Sequence, residues 1–294
     1  MSNTEKLDPV IFAGSFEDNP EISELTIPDG VVEITENAFR GFKHLKSVKL
    51  PGSVRKIGAA AFAGCTNLYS VSLPLGLTEI EDEAFSSCPA LKGITIPDSV
   101  KRIGEGAFEA CASLGSVKIS ESCEIIGASA FAFCFNLSSV TLPDSVSRIE
   151  FCAFASCFSL EWAKLSENIE YIPESLFEGC RSLKEVDLPT KLVKIGDRAF
   201  KGCSSLASLI LPVGTLAIGY DAFFGCSRLK RIAIPKGLSE PIDPEVFSEC
   251  DSLLEISFGG SADKWKLLMG DRVLTVTRSD LTLATPKLLF MNLK

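Results

Sequence analysis

The chain has 294 residues, 46% of them hydrophobic, and carries 29 basic against 38 acidic side chains for a formal charge of -9. An acidic balance without a basic run excludes nucleic acid and anionic membrane surfaces as partners. The apolar residues suffice for a continuous core but form no run of transmembrane length, so no membrane insertion is expected.

One stretch organises the rest. Leu45 to Cys65 reads L-x-x-V-x-L-P-x-x-V-x-x-I-G-x-x-A-F-x-G-C and returns every 23 residues. Phenylalanine recurs at Phe39, Phe62, Phe85, Phe108, Phe131, Phe154, Phe177, Phe200 and Phe223, then one residue late at Phe247. Cysteine recurs at Cys65, Cys88, Cys111, Cys134, Cys157, Cys180, Cys203, Cys226 and Cys250. A period without drift describes a solenoid, an α/β repeat in which each coil touches only its neighbours.

In chain order, 1–20 holds a half-coil cap. Ile11 to Phe16 falls one period before Ile34 to Phe39, and Met1 to Ser15 shows neither the cationic start nor the apolar segment of a secretory signal. With Met1 as the native start, a cytoplasmic protein is expected; a trimmed chain leaves the cell surface open. The solenoid proper spans 21–258 in about ten 23-residue repeats.

Within each coil, L-x-x-V-x-L alternates and ends at proline, the pattern of a short strand in a parallel sheet face. Pairs such as Val48/Leu50, Val117/Ile119, Ala163/Leu165 and Val186/Leu188 point inward. Thr26, Ser72, Thr95, Thr141 and Ser257 point outward. Proline donates no hydrogen bond and stops the strand; Ser120 and Ser166 replace it in two coils. A second extended piece, such as Val54 to Ile57, turns at Gly58, and Ala61 to Cys65 is expected as one helical or 3₁₀ turn. The period breaks once, by an inserted residue within Leu238 to Ile242.

The segment 259–294 reads as a C-terminal cap. Ser261 is placed to start a short amphipathic helix carrying Trp265, and Val273 to Thr277 and Leu288 to Met291 read as added strands that would close the sheet edge.

These copies resemble the BspA-like leucine-rich repeats of the Treponema pallidum type, over about Ile11 to Phe258, and Phe258 to Trp265 resembles a common ending in that family. The resemblance implies a right-handed leucine-rich-repeat solenoid, no catalytic activity, and kinship with surface adhesins and matrix-binding proteins.

The cysteines read as a ladder of free thiols. Stacked coils hold them about 4.8 Å apart and pointing the same way, whereas a disulfide needs facing Cβ atoms about 3.5–4.5 Å apart. Cys123 stands in a core column, and Cys152 in one that is partly exposed. No C-x-x-C occurs, and thiols in separate layers cannot converge on zinc. The single histidine, His44, lies in a solvent-facing turn column about 20 Å from Cys152 at about 4.8 Å per layer, too far for a Cys–His dyad. Gly58, Gly104, Gly127, Gly196 and Gly219 read as turn glycines rather than a phosphate loop. No catalytic residue, cofactor or metal is therefore assigned.

Departures from the repeat carry what functional signal there is. Phe133, Phe135, Phe151 and Phe158 replace small or polar residues in neighbouring coils, and Tyr220 takes the Phe151 column further along. On the sheet face, Trp162 and Ile210 stand where other coils carry short polar residues, with Lys164, Glu185 and Asp187 beside Trp162. The reading is a non-enzymatic scaffold binding a protein partner through the sheet face. The alternatives are a surface adhesin for matrix protein or carbohydrate and, remotely, a thiol-dependent enzyme using Cys152. Turning Trp162 inward over the small Ala163 would remove the first anchor.

Overall fold

A repeat becomes a core only if residues one period apart lie over one another, and the pairing register shows that they do. In the computed structural model, which describes residues 10–11, 21–269 and the strands 276–277, 283–284 and 287–290, Leu25 pairs with Val48, Val48 with Val71, Ile94 with Val117 and Val140 with Ala163, all in parallel. About ten coils stack in this way. Each contributes a three-residue strand such as Ser47–Lys49 to a main sheet and a two-residue strand such as Lys56–Ile57 to a minor sheet. Val48 is buried between the outward Ser47 and Lys49, as the pleat requires. Where serine replaces proline after the main strand, the Ser120 and Ser166 hydroxyls each accept the amide two residues on, at 3.1 Å, and hold the turn.

The third side of each coil differs from the expected helical turn. Its amides alternate in direction. Those of Ala61, Ala63 and Cys65 close local turns onto Gly58, Ala60 and Phe62, while those of Ala60, Phe62 and Gly64 donate to Asp82, Ala84 and Ser86 in the next coil at 2.8–2.9 Å. A helix would keep every bond inside the coil; alternation spends half of them between coils. The geometry needs two left-handed residues per coil, here Ala60 at φ 51° and Gly64 at φ 72°.

Gly58 and Gly104 stand at turns as expected, their carbonyls accepting the Ala61 and Ala107 amides, but neither is left-handed, so the turn itself is not what requires glycine. A Cβ on Gly58 would sit 2.6 Å from the Glu36 amide nitrogen, and one on Gly104 2.4 Å from the Glu81 carbonyl carbon. Glycine is present there because adjacent coils touch backbone to backbone.

Inside, the phenylalanine column is a continuous stack. Phe62 and Phe85 lie 5.2 Å apart and within 5° of parallel, and the ten rings of this column, Phe39 to Phe247, are fully buried. Phe247 stays in the stack, 5.6 Å from Phe223, because the inserted residue is absorbed before it, where the Phe223 amide reaches Val246. All eleven cysteines are free. The ladder does more than fill space: Cys65 Sγ donates to the Phe39 carbonyl at 3.1 Å, Cys157 to Phe131 at 3.2 Å, and so on to Cys250. Each thiol ties its coil to the phenylalanine of an earlier one.

The main sheet is not one ladder. Pairing is interrupted after Ser70–Ser72, after Ser116–Lys118 and after Glu185–Asp187, and resumes one coil later each time. Leu73, Val117 and Leu188, inward residues on the near side of each break, are accordingly only partly buried.

At the ends, Val10–Ile11 pairs with Glu33–Ile34, one period on, while the remainder of the half-coil lies outside the described residues. Ser261 Oγ accepts the Lys264 amide at 3.2 Å and starts the helix Ala262–Met269, whose Trp265 packs on Phe258 at 5.1 Å. Lys287–Phe290 pairs with Glu255–Phe258 and extends the main sheet. Val276–Thr277 pairs antiparallel with Leu283–Ala284. Ser257, expected outward, is buried, its hydroxyl on the Glu255 carboxylate at 3.1 Å.

Phe154→Ala should destabilise by about 3–5 kcal/mol in urea unfolding, as a buried large-to-small change. Cys157→Ala should cost about 0.5–1.5 kcal/mol for the lost thiol bond. Equal losses would contradict a core built on the ring column.

Candidate functional site

The main-sheet face is built by alternation. In Trp162–Lys164 the middle residue, Ala163, is fully buried, so Trp162 and Lys164 point outward and Trp162 does not fill the core. Trp162 is half-buried. It lies in register between Ser139 and Glu185, and Lys164 between Thr141 and Asp187. Trp162, Lys164, Glu185 and Asp187 thus form one surface in which an aromatic ring adjoins both signs of charge. Ile210 is 78% exposed but belongs to the next ladder. An open depression of about 520 Å³ lies across that break, with Glu185 and Asp187 on one wall and Ile210 on the other.

A second depression, about 410 Å³, lies on the other side of Trp162, over the break between Ser116–Lys118 and Ser139–Thr141. Lys118 and Lys164 line it together with Glu121, Asp144, Ser139 and Thr141, so both signs of charge meet there. Sequence reading missed Lys118, which differs little from the lysine at Lys49; only the interrupted pairing sets it apart.

The aromatic departures divide. Phe135 and Phe158 stack at 4.8 Å and 8°, Phe133 meets Phe135 edge-on at 6.4 Å, and the Arg181 guanidinium lies 4.9 Å from the Phe158 ring centroid. Phe133 sits at φ 59°, in a left-handed column filled by glycine at Gly41, Gly64, Gly179, Gly202 and Gly225 and by the smaller or unbranched Ser87, Ala110, Ser156 and Glu249 in other coils. A left-handed side-chain residue costs roughly 1–2 kcal/mol, and a bulky one there is an outlier. The ring is nonetheless 41% exposed, so burial offsets little of that cost. Phe151 and Tyr220 are exposed too, but neither makes a ring contact with this cluster among the described residues.

Thiol chemistry has no support in the geometry. Burial pushes Cys111 and Cys250 up to about 12 and Cys123 to about 11. Cys152 is half-buried, and burial raises its pKa as well, outweighing a lowering bond from Ser175. His44 is engaged at the surface, 3.6 Å from Glu21. Among the described residues no three His, Cys, Asp or Glu side chains converge as a metal ion would need, and no helix is long and apolar enough to cross a membrane.

Comparison with known proteins agrees with this architecture. The family described as BspA type leucine rich repeat region matches residues 10–91, 43–161 and 148–266, in six copies. The chain belongs to the BspA-type leucine-rich repeat family. Among solved structures, a leucine-rich repeat protein from Bacteroides ovatus is similar at 24% identity, over 96% of this chain and 87% of that one, with a TM-score of 0.53. The leucine rich repeat protein of T. pallidum is 32% identical over 71% of this chain and 78% of its own, with a TM-score of 0.46. A leucine rich cell surface protein from Faecalibacterium prausnitzii is 26% identical over 86% and 92%, with a TM-score of 0.46. No curated protein matches significantly. In this BspA-type solenoid, what the repeat leaves to be explained is the outward chemistry of a few coils.

Two outcomes are expected. Iodoacetamide on the native chain should label Cys152 well before the ladder thiols, slowly at neutral pH and faster as pH rises, because only the thiolate reacts and every shift here is upward; peptide mass spectrometry reads the order. Phe133→Gly should leave the unfolding midpoint unchanged or raise it, since relief of the left-handed backbone offsets the lost edge contact. A loss above about 1 kcal/mol would make Phe133 a structural residue.

Proposed function

We propose that the protein is a non-enzymatic interaction scaffold that binds a protein partner on the main-sheet face, centred on Trp162 and flanked by Lys164, Glu185 and Asp187. The observation that carries this reading is the register itself. Parallel pairing sets Trp162 beside Glu185 and Lys164 beside Asp187 on a surface whose inward neighbours, Ala163 and Val186, are already committed to the core. A half-buried tryptophan ringed by charge is the composition of an interface anchor: the ring supplies apolar area, and the charges fix orientation. The parallel sheet beneath it is rigid, so little ordering is lost on binding. The cluster of Phe133, Phe135 and Phe158 under Arg181 is a second anchor for the same class of partner, and the backbone cost at Phe133 is the reason to place it there.

Affinity capture with the immobilised chain, read by mass spectrometry, tests the face. Proteins retained by the wild type should be lost with Trp162→Ala/Asp187→Ala and kept with Arg148→Ala on the minor sheet, at unchanged melting temperature. Undiminished capture by the double variant rejects the site.

A further inference from the structure

We draw no further inference here: the strongest candidate, the exposed apolar patch of Ile210, Val213 and Leu216 on the coil that runs from Gly202 to Tyr220 without a charged side chain, is an unpartnered surface, and nothing in the structure shows what covers it.

Discussion

The structure depends on main-chain hydrogen bonds that leave one coil and end on the next. On the turn side every second amide is spent this way, and on the two sheets the strand ladders do the same. Such bonds exist only if each coil has the same length and places its donors at the same height. That is why the 23-residue spacing is kept and why the single insertion is confined to a loop ahead of Phe247. The phenylalanine stack and the thiol-to-carbonyl bonds exploit this registration. A ring finds a ring, and a thiol finds a carbonyl, because the backbones have already been aligned. No coil has a core of its own, so stability is a property of neighbours.

The sequence made the periodic part of this plain. Phe62 and Phe85 had to stack, Val48 and Val71 had to pair, and the thiols had to point along one line, because an integral period leaves no other arrangement. Its errors fall where main-chain geometry decides. Ala61 to Cys65 has the composition of a helical turn, yet its amides alternate between local and neighbouring acceptors. Gly58 does open a turn, but the reason it is glycine went unread, because its missing Cβ is required by the backbone of the coil beneath. In both cases the deciding contact lies about one period away, and local propensity does not register it.

The surface was legible in a different sense. Trp162 and Phe133 stand out once the repeat is subtracted, and the register then places Trp162 with Glu185 and Phe133 with Phe135. Phe151 was grouped with Phe133 in the sequence, and its carbonyl accepts the Ser129 amide on the same turn side, yet its ring makes no contact with the cluster among the described residues. Lys118 was invisible. Whether a lysine lies over a closed ladder or an open one depends on strand separation, and the residues on either side of the break follow the same pattern as those where pairing is intact.

Most of these departures fall within a few successive coils. Phe133 holds a bulky residue in a left-handed conformation, Val117 and Leu188 lose part of their burial at breaks in the ladder, and Trp162 keeps part of its ring in water. Each costs stability locally, and none is needed by the repeat, since other coils fill the same positions with glycine, serine or a fully paired strand. A solenoid tolerates such costs because the neighbouring coils carry the core through them. Sequences that fold well are locally consistent, and their violations gather where another requirement operates. The segment from Lys118 to Ile210 gathers them on a surface where Trp162 lies in register with Glu185 and Lys164 with Asp187. The repeat has no folding reason to keep a tryptophan and both signs of charge together at the surface. A partner bound there, as proposed above, would supply that reason.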